Sequence, residues 1–158
     1  MTEPRNDHSL FQTFKHLTGN ARGCVIVEPL WGIPYFLYAP YATVYMVKLG
    51  LVDSQIGLIA TIAQIVQVFM ALFSGVITDK LGRRRTTLMF DMFSFVIPSI
   101  ILVFAQNFWY FLIAAMINSL WRIVHNSWTC LLVEDTDPDQ LVDIYAMIYL
   151  AGQLVAFF

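Results

Sequence analysis

The sequence predicts an all-α fold, a polytopic bundle of transmembrane helices. Of the 158 residues, 58% are hydrophobic and 13% are charged, whereas an ordinary soluble domain carries about 25% charged residues. The charged residues are grouped between long apolar runs, each close to the roughly 20 residues that cross a bilayer core. Because a segment in lipid must satisfy its own backbone hydrogen bonds unless it joins a closed barrel, these runs predict helices.

Five apolar segments are interpreted as membrane spans. They are residues 23–47, 54–77, 87–105, 108–133 and 141–158. The connectors between them are short, at residues 48–53, 78–86, 106–107 and 134–140. Short connectors require consecutive helices to run antiparallel. We therefore expect two parts, a polar tail of residues 1–22 and a transmembrane part of residues 23–158.

The distribution of Lys and Arg predicts the orientation, because cytoplasmic flanks carry the excess of these residues. The tail and the connector 78–86 together hold seven of them, and the opposite side holds only Lys48. We therefore expect a multi-pass protein of the cell membrane with a cytoplasmic N-terminus. The tail lacks the apolar stretch of a secretory signal peptide, so the first span must direct insertion.

Several classes of function are disfavoured by charge and by the spacing of reactive residues. A net charge of -2 gives no electrostatic basis for nucleic-acid binding. Cys24 and Cys130 form neither a CxxC pair nor a metal cluster, and the three histidines lack metal-ligand spacing. We expect no metal, no cofactor and no catalytic residues. A membrane enzyme would need a catalytic set at one depth, and none is evident.

The most specific motif is the string G-V-I-T-D-K-L-G-R-R-R at residues 75–85. A small residue at Gly75 allows close helix packing in membranes, and Gly82 allows a turn with positive φ. Asp79 is expected to accept hydrogen bonds at a helix N-terminus. The arginines would hold the connector in the cytoplasm, and a purely topogenic role is the alternative interpretation of them.

This string resembles the loop signature G-x-x-x-D-[RK]-x-G-[RK]-[RK] of the major facilitator superfamily (MFS) of transporters. Pro29, Pro34 and Pro40 in the first segment, which should break or bend that helix, are also similar to what such transporters carry, as is L-G-L-x-x-S-x-I-G at residues 49–57. The resemblance covers residues 23–158. It implies the first five helices of an MFS-type fold, whose two halves have about six spans each.

In this family the acidic residue and an arginine of the signature belong to a cytoplasmic latch that braces the two halves in one access state. The resemblance implies this role for Asp79 and Arg83, with an acidic partner at the end of the fourth span. The candidate latch residues are Gly75, Asp79, Lys80, Gly82, Arg83, Arg84, Glu134 and Asp135. The fourth span of the family usually also carries R-x-x-x-G. Arg122 matches its arginine, but Asn126 replaces its glycine.

A polar stripe is predicted on the fourth segment. Its members follow the spacing i, i+4, i+7, i+8, i+11 of one helix face, and they are Asn118, Arg122, His125, Asn126 and Thr129. An unpaired arginine within a span costs at least about 3 kcal/mol, so Arg122 should face protein or water. We hypothesise that the stripe lines a cavity where Arg122 binds an anionic substrate group or responds to a carboxylate. The alternative is that Arg122 only ties helices together, and that His125 is a bystander rather than a proton carrier.

Four further polar residues lie inside apolar segments. Glu28 and Asp91 are each about 7 Å inside the cytoplasmic boundary, where they could pair with Arg122 or the loop arginines, or remain solvated. Gln64 and Gln67 are close to one turn apart on the second segment. They could hydrogen-bond a substrate or link helices.

We expect the chain to be truncated within a transporter, because the last segment ends at residues 156–158 without a polar flank. The full protein would move a small solute by alternating access, and a fragment would be inactive alone. Its partners would be the solute, the lipid bilayer and the C-terminal half, with proton coupling left open. The alternative is a complete five-span protein that acts as a membrane scaffold and does not transport.

Overall fold

The computed structural model describes residues 14–15, 17, 19–134 and 136–157 of the chain. Its helices of more than ten residues are α1 (Gly19–Lys48), α2 (Asp53–Leu81), α3 (Arg83–Val103), α4 (Phe108–Asn118), α5 (Trp121–Glu134) and α6 (Leu141–Phe157), and a short 3-10 helix, Pro138–Gln140, precedes α6. No strand occurs in these residues, and the all-α prediction is confirmed. Asp135 and most of the predicted tail lie outside the described residues.

Two of these helices, α2 and α3, are long and apolar enough to cross a membrane. Large apolar side chains are exposed along both, with Leu72 70% and Val103 75% exposed. Exposed apolar surface on this scale requires lipid or a protein partner. The helices α4 and α5 have 11 and 14 residues, which at 1.5 Å per residue gives only about 17 and 21 Å. Neither crosses a bilayer core by itself.

The first helix continues through Pro29, Pro34 and Pro40 without the expected break. Each proline lacks one N–H and therefore removes one backbone hydrogen bond. Membrane helices tolerate such positions because small local adjustments satisfy the freed carbonyl groups.

The chain divides into two compact units. One contains Met1–Tyr38 and Leu131–Phe158, and the other is Ala39–Cys130. In the first unit, α1 and α6 approach closely at Gly32, where a Cβ atom would lie 3.5 Å from Cγ1 of Val155. This distance is an ordinary van der Waals contact, so the two helices would pack here with alanine as well as with glycine.

The apolar core of the second unit lies at the end that holds the connectors 49–52 and 104–107. Its buried members are Leu51, Ile59, Ala105, Phe111 and Leu112. The Tyr45 hydroxyl donates a 3.0 Å hydrogen bond to the Ala105 carbonyl, and its ring meets the Phe111 ring edge to face at 5.8 Å. The two connectors meet at one end because consecutive helices run antiparallel, as the short connectors predict.

The fourth apolar segment forms two helices, in contrast to the single helix expected from its sequence. Ser119 and Leu120 form a tight turn in which the N–H of Leu120 bonds to the carbonyl of Ile117, three residues back, at 3.1 Å. The buried Ser119 hydroxyl lies 3.0 Å from the Ala63 carbonyl of α2 and 2.9 Å from the Ala115 carbonyl of its own helix. A serine hydroxyl that competes for backbone carbonyls favours such a local change in the helix.

Candidate functional site

The turn between α2 and α3, residues 79–85, is called the basic turn. Gly82 is its only non-helical residue, so the predicted nine-residue connector 78–86 is wrong in length. Gly82 has a φ of 81°, and its N–H donates to the Thr78 carbonyl at 3.0 Å. The predicted positive φ is confirmed. A single residue in this left-handed region ends one helix and lets the next begin, and glycine adopts that conformation without a Cβ clash.

The hydrogen bonds expected between Asp79 and a helix N-terminus stay a prediction, because the described residues contain no such contact. Asp79 lies in the last turn of α2, which ends at Leu81, and its side chain is exposed. A negative charge at a helix C-terminus opposes the helix dipole, whereas Lys80 in the same turn favours it. Local helix stability therefore does not explain an acid at this position.

The remaining candidate latch residues differ in their surroundings. Lys80 and Arg84 are exposed, and Arg83 is half-buried. A Cβ atom on the exposed Gly75 would meet no described atom within 4 Å, so the close packing expected there is not made by the described part of the chain. Glu134 is the exposed last residue of α5 and belongs to the first unit, whereas Asp79 belongs to the second.

Two side-chain hydroxyls fix the first turn of α3 to α5. The Ser127 hydroxyl donates to the Arg83 carbonyl at 2.7 Å. The Thr87 hydroxyl lies 2.9 Å from the Ser127 oxygen and 3.0 Å from the same carbonyl. Sequence reasoning missed Ser127 and Thr87. The available signal was a small hydroxyl residue inside an apolar helix, which often hydrogen-bonds to a neighbouring helix.

The structure brings three side chains of α5 together. The Arg122 guanidinium lies 5.5 Å from the centroid of the Trp121 ring, and the His125 ring meets the same ring edge to face at 5.5 Å. Arg122 and His125 are exposed, and Asn126 is half-buried. Arg122 makes no ion pair with Asp91 in the described part of the chain. The arginine thus has a cation–π neighbour in its own helix.

Asn118 is separated from the other stripe residues by the Ser119–Leu120 turn. It ends α4, and its side-chain amide donates to the Ser94 carbonyl of α3 at 2.8 Å. Ser94 is fully buried in a π-helical turn, Met92–Val96. A π turn widens the helix and changes the hydrogen bonding of its carbonyl groups. Asn118 therefore links α4 to α3 at this irregular position.

The other candidate polar residues are distributed over three helices. Asp91 is half-buried directly before the π turn of α3, and Glu28 is half-buried on α1 in the first unit. Gln67 is half-buried on α2, and Gln64 is exposed. Gln64 lines a shallow, mainly apolar groove whose other members are Ala60, Thr61, Ile65 and Val68. One helix supplies the whole lining, so this groove is not an enclosed binding site.

Apolar helices that are joined by buried hydrogen bonds are typical of polytopic α-helical membrane proteins. The family model described as Major Facilitator Superfamily matches residues 30–158. The chain belongs to the major facilitator superfamily. This is a family of membrane transporters and not of enzymes, so the predicted membrane location and general transporter class are confirmed. Neither the curated proteins nor the solved structures contain a match.

The positive φ of Gly82 predicts that alanine has different effects on stability at Gly82, which follows α2, and at Gly57, which lies inside α2. Gly82→Ala should destabilise the protein by about 1–2 kcal/mol, because a Cβ is strained in the left-handed region. Gly57→Ala should be neutral or stabilising by up to about 1 kcal/mol, because alanine favours a helix interior and no described atom lies within 4 Å of its Cβ. Thermal unfolding in detergent measures both. Equal stability of the two variants would contradict the role assigned to Gly82.

Proposed function

We propose that this transporter moves a small solute by alternating access between two halves, with residues 23–158 forming the first five spans of the N-terminal half. Membership of the family supports this proposal. The C-terminal half and the lipid bilayer would be the partners of the chain. The solute site would lie between the halves near the middle of the membrane, where transporters of this kind bind their substrates.

The main support for a solute site in this half is the exposed guanidinium of Arg122. An arginine within a membrane span is costly and is retained where it faces protein, water or a ligand. Arg122 follows the tight turn at Ser119–Leu120 by two residues, and irregular backbone at membrane depth occurs where it is buried in protein or lines a water-filled cavity. Its planar fork of donors matches a carboxylate or phosphate. An anionic group on the solute is therefore the proposed ligand of Arg122.

Neighbouring polar groups would complete the site. His125 and Asn126 follow Arg122 on the same helix and would supply hydrogen bonds to the solute. His125 is also the candidate for proton coupling, because histidine titrates near neutral pH. Further polar candidates are Glu28, Gln64, Gln67, Asp91 and Asn118. Of these, Asn118 already donates to the Ser94 carbonyl, which favours a structural contribution from this residue.

The proposed latch is the basic turn together with an acidic residue at the end of the fourth segment. Asp79 is exposed at a position where it weakens its own helix electrostatically, which supports a partner outside α2. Glu134 or Asp135 would pair with Arg83 or Arg84. Both members of such a pair belong to the N-terminal half, so the pair would fix the cytoplasmic surface with which this half braces the C-terminal half in one access state.

We also propose that the tail and the basic turn face the cytoplasm. The support is the excess of Lys and Arg on this side. In a background where Cys24 and Cys130 are replaced by serine, a membrane-impermeant thiol reagent should label Arg84→Cys only after the membrane is opened. Lys48→Cys, in the connector at the other end of α2, should react in intact cells. Labelling of Arg84→Cys from outside would overturn this orientation.

Substitution of Arg122 tests the solute site. Arg122→Ala should lower kcat/KM for transport of an anionic solute by about 10- to 100-fold, because a hydrogen bond to a charged group is lost. Arg122→Lys should lose less, because it keeps the charge but not the planar fork. Uptake into vesicles that contain the full protein measures both, with Lys48→Ala as the matched control. Unchanged transport of every accepted solute by Arg122→Ala would refute the assignment.

Substitution of Asp79 tests the latch separately. Asp79→Asn should reduce turnover about fivefold or more, the usual size of a coupling between two conformational states, while insertion into the membrane stays normal. Asp53→Asn removes an exposed carboxylate from the opposite end of α2 and should leave turnover close to that of the wild type. The same vesicle assay applies. Normal turnover of Asp79→Asn would exclude Asp79 from the latch.

A further inference from the structure

Side-chain hydroxyls hydrogen-bond to the start of α3 both from α3 itself and from α5. Within its own helix, the Thr86 hydroxyl donates to the Gly82 carbonyl at 3.0 Å. Towards α5, the Arg83 carbonyl, the Thr87 hydroxyl and the Ser127 hydroxyl lie within 2.7–3.0 Å of one another. These three groups are called the hydroxyl cluster. Thr86 and Ser127 are completely buried.

The hydroxyl cluster satisfies its own hydrogen bonds. Ser127 donates to the Arg83 carbonyl, and Thr87 donates either to the Ser127 oxygen or to the same carbonyl. Both hydroxyl protons thus have an acceptor inside the protein, and no water is needed. This arrangement suits a group that is shielded from solvent.

The contact between helices distinguishes Ser127 from other hydroxyl residues nearby. Ser99 on α3 and Thr129 on α5 donate only to carbonyls of their own helix, at 2.6 and 2.8 Å. Ser127 instead reaches the carbonyl of Arg83, 44 residues earlier in the chain. The bond attaches α5 to the first residue of α3, which is also a residue of the basic turn.

We propose that Ser127 is a positioning residue of the latch, an inference that rests on the proposed function. The latch can transmit a displacement only if the residues that carry it are attached firmly to the neighbouring helices. Within the basic turn the chain passes from α2 to α3 at a single left-handed glycine, Gly82, and Ser127 attaches the α3 side of the turn to α5. The start of α3 and the part of α5 around Ser127 would therefore move together when the access state changes. Ser127 does not touch the solute and acts through Arg83.

Amide hydrogen exchange and transport, measured on the same variants of the full protein, test this role. Ser127→Ala should increase exchange of the hydrogen-bonded amides of residues 86–88 by about threefold to tenfold, the range expected for one interhelical hydrogen bond in a membrane protein. Turnover should fall by a similar factor with KM unchanged. Ser99→Ala removes an exposed hydroxyl from α3, the helix whose exchange is measured. It should change neither exchange nor turnover.

A second variant tests whether the two hydroxyls act together. Thr87→Val removes the other hydroxyl at nearly constant volume, and the double variant with Ser127→Ala should be little worse than either single variant. Residues of one hydrogen-bond network give such non-additive effects. Additive losses would overturn the cluster as a unit. If Ser127→Ala fails to reach the membrane, Ser127→Cys, which has a similar size and donates only weakly, carries the same exchange and transport tests.

The outcomes separate this inference from the proposed function. Unchanged exchange at residues 86–88 would overturn the attachment itself. Faster exchange with normal turnover would overturn the positioning role. A wild-type protein that moves no solute would overturn the proposed function and with it the latch role, whereas the exchange result would still report whether Ser127 holds the basic turn.

Discussion

The structure depends on one constraint, the need of every backbone N–H and carbonyl group in hydrocarbon to find a partner within the protein. This constraint accounts for helices that are joined by very short connectors. It also accounts for the links between helices, in which a hydroxyl or amide donates to a carbonyl, as Tyr45 does to Ala105 and Asn118 does to Ser94. Each such link stabilises a membrane protein only modestly, by about 0.6 kcal/mol on average. Their effect is to define which parts of two helices lie side by side.

The two ends of the unit Ala39–Cys130 are held together by different forces. At the end with the connectors 49–52 and 104–107, packed apolar side chains surround the buried Phe111. At the basic turn, the hydroxyl cluster joins α3 to α5. Many small van der Waals contacts hold the first end together, whereas a few directed hydrogen bonds hold the second.

Two charged residues occupy positions that the stability of their own helices does not explain. Asp79 lies at the C-terminal end of α2, where the helix dipole is unfavourable for an acid. Arg122 lies in the middle of the fourth apolar segment, where a cation is costly. Local rules of this kind are most often violated at functional positions. Both side chains are exposed in the described part of the chain. This exposure is consistent with interaction partners outside the described residues.

The sequence by itself determined the helical class, the family and the left-handed turn at Gly82. These follow from local properties, namely the length of apolar runs, a specific string of residues and the absence of a Cβ atom. Only the tertiary structure decided the one-residue connector, the C-terminal position of Asp79, the turn at Ser119–Leu120 and the hydrogen bond of Ser127 to α3. The reason is that these features depend on partners distant in the chain, such as Ser94 for Asn118, 24 residues away, and Arg83 for Ser127, 44 residues away. The spacing of polar residues along one helix carries no information about which carbonyl on another helix they meet.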